Sequence, residues 1–109
     1  MEIADLASPQ SRKVASLLAI GRQSGDTVVG LSAVRRAGPL AHVFVDRGIA
    51  PGTLAEMARL AQRGVKVWRV ESLAEVTRPF GRVDLLVVGV RRGSLARGVA
   101  RRLAEGAGS

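Results

Sequence analysis

The sequence contains no cysteine, which excludes disulfide bonds, thiolate zinc sites and cysteine nucleophiles. No group of histidine and carboxylate residues has the spacing of a metal site. The glycines form neither the G-x-G-x-x-G pattern of dinucleotide-binding loops nor a phosphate-binding P-loop. We therefore expect no metal, no cofactor and no catalytic residues, which predicts a protein that is not an enzyme.

Two residues still have the chemistry to act at a site. His42 is the single histidine and falls inside a predicted strand, where a structural, hydrogen-bonded histidine is more common than a general base. Asp46 follows that strand, a place where α/β proteins often put functional groups. It is equally able to cap the following loop, and the structural interpretation is favoured for both residues.

Aromatic residues make up only 3% of the chain, so a base-stacking platform like that of many single-strand RNA binders is hard to build. Acidic residues are also scarce, since 9 Asp and Glu face 17 Lys and Arg, for a formal net charge of +8. Nearly all the basic residues are arginines, whose planar donors suit phosphates and guanine edges. The charge favours a nucleic-acid partner, although the arginine-rich composition of a GC-rich genome is an alternative explanation.

Apolar runs are short, and none reaches the roughly 18 residues that a membrane span needs. The first ten residues are acidic, unlike a secretory signal peptide. The sequence therefore predicts a cytoplasmic protein with no membrane partner.

Apolar segments alternate with helical patterns along the chain. Short strands are predicted at 27–29, 41–45, 65–70 and 85–90, with helices before, between and after them. Ser8, Thr53 and Ser72 are predicted to cap helices, the last two as capping boxes with Glu56 and Glu75. The alternation predicts an α/β fold, a three-layer α-β-α sandwich around a four-stranded mixed sheet. We expect one domain over residues 9–105, a short tail over 1–8 and a C-terminal tail over 106–109.

Arginines gather in three places. At the first, Gly30 joins a strand to a short helix that carries Ser32, Arg35 and Arg36. Exposed helix-start amides, a serine hydroxyl and arginines are all suited to phosphate contact, although an ordinary turn with a solvated helix face is an equal alternative. The second place is the loop 78–82, where Phe80 is expected in the core and Arg82 is a possible contact. The third is around the last helix, which is predicted to begin at Ser94. Its charges form either a solvated face or a second RNA contact, and they are Arg91, Arg92, Arg97, Arg101 and Arg102.

The stretch from Leu17 to Arg36 resembles the opening of the ribosomal L-seven-Ae family. A first helix ends in a small-residue and glycine turn, and a short strand and a glycine then lead into another helix. Three later segments fit the same family in the same order: 42–51, 64–67 and 80–90. The resemblance covers residues 10–104 and is greatest to the small bacterial YlxQ-type members.

The resemblance implies an α-β-α sandwich that binds kink-turn RNA. In such proteins the helix after the first strand enters the RNA major groove beside sheared G·A pairs, and the last loop adds apolar contacts. Carried over by position, Gly30 matches the family glycine and Arg36 matches its basic RNA contact. Gly81, Arg82 and Val83 match the loop.

Two departures separate this chain from kink-turn binders. Ser32 and Ala33 stand where those proteins carry Asn-Glu, so the acidic residue that recognises guanine is missing. The Ala-Glu-Asp after the second strand is replaced by 46–48, which is Asp-Arg-Gly. The loss of a base-edge partner costs about 1–3 kcal/mol of discrimination. We expect the fold and RNA association to tolerate these changes better than kink-turn specificity does.

The sequence thus predicts a basic, non-catalytic RNA-binding protein of translation. Its RNA would be ribosomal or otherwise structured, and its partners ribosomal or ribonucleoprotein components. The predicted contacts are Gly30, Ser32, Ala33, Arg35, Arg36, Arg82 and Val83. One alternative is a protein-interaction module on the same fold that has lost specific RNA recognition. Another is a free-standing relative of the substrate-recognition domain of RNA 2′-O-methyltransferases.

Overall fold

A computed structural model describes residues 3–107 of the chain, with side chains through residue 105. The residues form a mixed sheet of five strands in the order β1-β4-β3-β5-β2. The three strands β1, β4 and β3 are parallel, and β5 is antiparallel to both β3 and β2. The strands are β1 (Ile3–Leu6), β2 (Thr27–Val29), β3 (Leu40–Asp46), β4 (Lys66–Val70) and β5 (Val87–Arg91).

Six helices connect and flank these strands. They are α1 (Ser8–Arg12), α2 (Ala15–Ser24), α3 (Leu31–Arg36), α4 (Pro51–Ala61), α5 (Ala74–Thr77) and α6 (Ser94–Ala107). One turn of 3-10 helix (Arg78–Phe80) follows α5. No helix in the described part of the chain is long and apolar enough to cross a bilayer.

The side chains of β3 alternate between two cores on opposite faces of the sheet. Phe44 joins one cluster, and Val43 and Val45 join the other. The first cluster lies against α2, α5 and α6, while the second lies against α3 and α4. This two-sided burial explains why the strand is a nearly continuous apolar run, and it confirms an α/β fold with helices on both faces of a mixed sheet.

The sheet has one more strand than the sequence predicts. Residues 1–8 are expected to be a tail, but Ile3–Leu6 forms β1 at the edge of the sheet. Asp5 lies directly opposite Arg69 of β4, and its Oδ1 accepts a hydrogen bond from Arg69 Nε at 2.7 Å. Only Leu6 of this strand is buried, so the segment lacks the apolar pattern that identifies the inner strands.

The predicted helix caps are wrong in detail. Ala7, not Ser8, is the cap residue of α1, and the first helix breaks at residues 13–14 instead of running unbroken to Gly25. Helix α4 begins at Pro51, whose fixed φ and missing N–H suit the first helical position, so Thr53 lies inside it. No side-chain cap forms at the start of α5, where the backbone carbonyl of Ser72 accepts the Glu75 amide.

The C-terminal boundary also differs from the prediction. Helix α6 starts at Ser94 as predicted and continues to Ala107, so residues 106 and 107 belong to the helix. Residues 108 and 109 of the expected tail lie outside the described residues.

Candidate functional site

Gly30 is the joint between β2 and α3. Its backbone has φ 88° and ψ 153°, a conformation that side-chain-bearing residues rarely adopt. A Cβ built there would meet nothing within 4 Å, so backbone conformation and not crowding requires the glycine. The Gly30 amide donates to the carbonyl oxygen of Val87 at 2.9 Å. This bond ties the start of α3 to the first residue of β5.

The chain before Val87 forms a tight turn over residues 77–82. Gly81 has φ 77° and ends the 3-10 turn. The Thr77 hydroxyl donates to the Arg82 carbonyl, and the Arg82 amide donates to the Thr77 carbonyl. Phe80 packs against the core, as the sequence predicts. The segment that leads into Val87 also exposes two apolar side chains, since Val83 is 61% exposed and Leu86 is 49% exposed.

Helix α3 exposes Ser32 and Arg36, four residues apart and therefore on one face. Val34 is buried, and Ala33 is half-buried against the same apolar cluster. Ala33 therefore contributes less surface than the sequence predicts. We use the term α3–β5 face for the candidate residues on either side of the Gly30–Val87 hydrogen bond: Gly30, Ser32, Arg36, Arg82, Val83 and Leu86.

Arg35 is bound to α4. Its Nε and Nη2 donate to the two carboxylate oxygens of Glu56, each at 2.7 Å. These hydrogen bonds hold the pKa of the Glu56 carboxyl below its usual value and raise the pKa of Arg35. Both guanidinium donors that face α4 are thus occupied. The two residues are 21 positions apart, so no local sequence pattern could predict this pair.

Arg82 also has a carboxylate partner. Its Nε donates to Oδ1 of Asp84 at 3.0 Å, and its Nη2 donates to Oδ2 at 3.2 Å. The hydrogen bonds from Arg82 lower the pKa of Asp84. The Arg82 side chain is 43% exposed, so one edge of its guanidinium remains open to solvent. The Asp84 carboxylate offsets its positive charge.

Three further carboxylates pair with other arginines. Besides the two pairs above, ion pairs join Arg12 to Glu75, Arg47 to Glu71 and Arg69 to Asp5. Within residues 3–107 the other basic side chains make no ion pair: Lys13, Arg22, Arg36, Arg59, Arg63, Lys66, Arg78, Arg91, Arg92, Arg97, Arg101 and Arg102. Arg36 is thus the arginine of α3 whose charge is not balanced by a neighbour.

His42 is a structural histidine. Its Nδ1 accepts a hydrogen bond from Trp68 Nε1 at 3.1 Å, so its Nε2 carries the proton and donates to the Ala96 carbonyl at 3.1 Å. The residue is 4% exposed, and burial lowers the pKa of the imidazole. Both nitrogens are occupied, which favours the structural interpretation of this residue.

Asp46 is a structural cap. Its Oδ2 accepts the Gly48 amide and its Oδ1 accepts the Leu73 amide, both at 2.8 Å. The carboxylate thereby joins the loop after β3 to the start of α5. Among the described residues, no three His, Asp or Glu side chains converge to hold a metal ion.

The sequence did not identify two residues of this region, Leu86 and Glu56. Leu86 lies in a run of apolar residues that predicts a buried strand, but β5 begins one residue later. Glu56 fits a helix cap by its spacing, whereas its carboxylate binds Arg35. Exposure and cross-helix pairing depend on tertiary contacts, which local spacing does not contain.

Comparison with known proteins finds similarity in structure but none in family or curated sequence. No family model and no curated protein matches the chain. Among solved structures, the chain is similar to a protein of unknown function from Bacillus halodurans C, with a TM-score of 0.68 and 19% sequence identity. The match covers 84% of this chain and 96% of that one. At this identity the similarity shows a common fold.

Proposed function

We propose that this chain is a cytoplasmic, non-catalytic RNA-binding protein that binds structured RNA of the kink-turn or ribosomal kind. It would act in ribosome or ribonucleoprotein assembly, as the resemblance to the L-seven-Ae family implies. The α3–β5 face is the surface that would contact the RNA.

The observation that carries the proposal is the hydrogen bond between Gly30 and Val87. The resemblance assigns RNA contact to two segments, the start of α3 and the loop at 81–83, which lie about 50 residues apart in sequence. The bond joins α3 directly to the strand that this loop enters. This bond supports the proposal because it brings the start of α3 next to the strand that the second segment enters.

The side chains of this surface suit an RNA ligand. Ser32 and Arg36 supply polar and charged donors on one face of α3. Val83 and Leu86 supply exposed apolar atoms, which can pack against the flat faces of unstacked bases. A cationic edge beside an apolar edge matches the phosphates and bases of a bent RNA.

Arg36 carries the electrostatic part of the contact. It has no ion-pair partner in the described part of the chain, so a phosphate need not compete with a carboxylate for it. Arg35 is held by Glu56, and we assign it the role of bracing α3 against α4. Arg82 contributes through the guanidinium edge that Asp84 leaves free.

Ser32 and Ala33 set the specificity of this site. Ser32 offers a hydroxyl in place of an amide, and the Ala33 methyl offers no acceptor for a guanine edge. Binding would depend on RNA shape and phosphate contacts, and it would weaken steeply with salt.

The test is a titration of fluorescently labelled RNA at about 0.1 M salt. The wild-type protein should bind an RNA with a sharply bent internal loop more tightly than a straight duplex of equal length. Arg36→Glu should weaken binding to the bent RNA by roughly tenfold or more, because it replaces a phosphate contact by a repulsion. Arg101→Glu is the matched control, since it makes the same charge change at an exposed position of α6. Equal losses in the two variants would reject the proposed face.

A further inference from the structure

A groove of about 500 Å³ lies between α3 and α4, and Arg35 and Ala37, on either side of Arg36, line it. Leu40, the first residue of β3, lines the groove, whereas Asp46, the last, donates its amide to the carbonyl of Leu86. A strand of this length spans about 20 Å. The groove is therefore a strand length away from Leu86, and it adjoins the α3–β5 face at Arg36.

The floor of the groove is aliphatic. It is formed by side chains from α3, α4 and the neighbouring strand ends: Val34, Leu40, Met57, Leu60 and Val65. Four of these are buried members of the core cluster beneath α3 and α4, and Leu60 is half-buried. An apolar side chain in the groove would thus extend the core.

The rim of the groove is cationic. Arg59 of α4, Arg63 after α4 and Arg92 after β5 line it, and all three are exposed. None of them makes an ion pair with any described residue. The one carboxylate in the lining, Glu56, is already neutralised by Arg35. The groove therefore presents three unbalanced positive charges around an apolar floor.

This combination favours a peptide over RNA. The lining contains no aromatic side chain, so an unstacked base would find no platform to stack on. Aliphatic floors with a charged rim are typical of grooves that take the apolar side chains of a peptide. Three arginines spaced around the rim complement carboxylates on either side of such a side chain.

We infer that this groove binds an acidic segment of a partner protein, in which a leucine-like side chain lies between aspartate or glutamate residues. The apolar side chain contacts Leu60 and the buried floor. The flanking carboxylates bind Arg59, Arg63 and Arg92.

The experiment uses the whole chain and a short synthetic peptide of alternating aspartate and leucine. Amide chemical shifts are followed by NMR during the titration, and the shifts should concentrate at Ala37, Leu40, Leu60 and Val65. A second peptide, with serine in place of leucine, carries the same charge and should bind roughly tenfold more weakly.

Charge reversal supplies the matched comparison. Arg59→Glu with Arg63→Glu should weaken binding of the aspartate–leucine peptide by roughly tenfold or more. Arg97→Glu with Arg101→Glu makes the same change in net charge on α6, outside the groove, and should change it by no more than about twofold. All four positions are exposed, so we expect these substitutions to leave the fold intact.

Several outcomes would overturn the inference. These are equal binding of the serine peptide, equal losses in both variant pairs, shifts that map outside the groove, and displacement of the peptide by a single-stranded RNA oligonucleotide. Absence of any binding would overturn it as well. Val83→Ser with Leu86→Ser changes two residues of the α3–β5 face that do not line the groove, and it should leave peptide binding unchanged. Failure of the RNA proposal and failure of the groove proposal can therefore be told apart.

Discussion

The backbone amide of Gly30 donates to the carbonyl of Val87 at 2.9 Å, across a gap of more than fifty residues in the chain. Because Gly30 precedes α3 and Val87 follows the segment 81–86, this single bond joins the start of α3 to the strand that the segment enters. Predictions about RNA binding follow from the side chains that the α3–β5 face exposes.

The exposed apolar edge should contribute to RNA affinity. Val83→Ser with Leu86→Ser should weaken binding of a bent RNA by roughly tenfold, which corresponds to about 1.4 kcal/mol. Ile20→Ser is the control, because Ile20 is an apolar residue of α2 that is 62% exposed and is not among the residues of this face. Equilibrium titration with labelled RNA measures the effect, and equal affinities for the double variant and the wild type would contradict it.

Arg35 and Arg36 should differ although they are adjacent and equally charged. Arg36→Ala should weaken RNA binding and reduce the slope of log affinity against log salt by about 1, because one phosphate contact is lost. Arg35→Ala should leave that slope nearly unchanged, since Glu56 already occupies its guanidinium. A salt titration of both variants tests this, and a larger effect at Arg35 would mean that its ion pair opens for RNA.

The buried histidine should make stability depend on pH. Burial lowers the pKa of His42 in the folded protein below the ordinary value of 6.5. The unfolded chain therefore takes up a proton at a higher pH than the folded chain, so the free energy of unfolding falls as pH drops below 6.5. Because one proton is involved, the free energy of unfolding changes by at most about 1.4 kcal/mol per pH unit.

Denaturant unfolding at about pH 7.5 and about pH 5.5 measures this dependence. His42 is the single histidine, so His42→Gln should flatten the pH dependence in this window, whatever it does to stability itself. The same slope in the variant and the wild type would assign the titration to another group.

Two helix glycines should respond oppositely to alanine. A Cβ at Gly21 of α2 would collide with Leu95 of α6 and with Thr27, so Gly21→Ala should cost about 1–3 kcal/mol of stability. A Cβ at Gly98 of α6 would lie 3.6 Å from Leu17, an ordinary contact, so Gly98→Ala should stabilise by roughly 0.5–1 kcal/mol. Thermal unfolding of both variants tests the pair, and a stabilised Gly21→Ala would contradict the packing of α2 against α6.

The inner strands and the helices between them could be predicted from the sequence because their signals are local. The run around Val43 and Val45 indicates a strand covered on both sides, and α2 ends at Gly25 with a positive φ, at the glycine turn that the resemblance implies. The edge strand β1 was missed, since only Leu6 is buried in it and its register depends on the distant Arg69.

The candidate site could be predicted in part. Its position at Gly30, and the exposed Ser32 and Arg36, follow from a glycine, a strand and a helix in sequence order. The pairing of Arg35 with Glu56 and the groove beyond α3 could not be predicted, because each depends on how α3 packs against α4. Side-chain pairing of this kind is a tertiary property, which local patterns do not encode.

Cross-linking in cells followed by sequencing of the bound RNA tests the central claim most directly. The wild-type protein should recover one structured ribosomal or other ribonucleoprotein RNA element, and Arg36→Glu should lose most of that recovery, whereas Arg101→Glu should keep it. Recovery of no enriched RNA by the wild type, or the same RNA at the same yield from Arg36→Glu, would contradict RNA binding at the α3–β5 face.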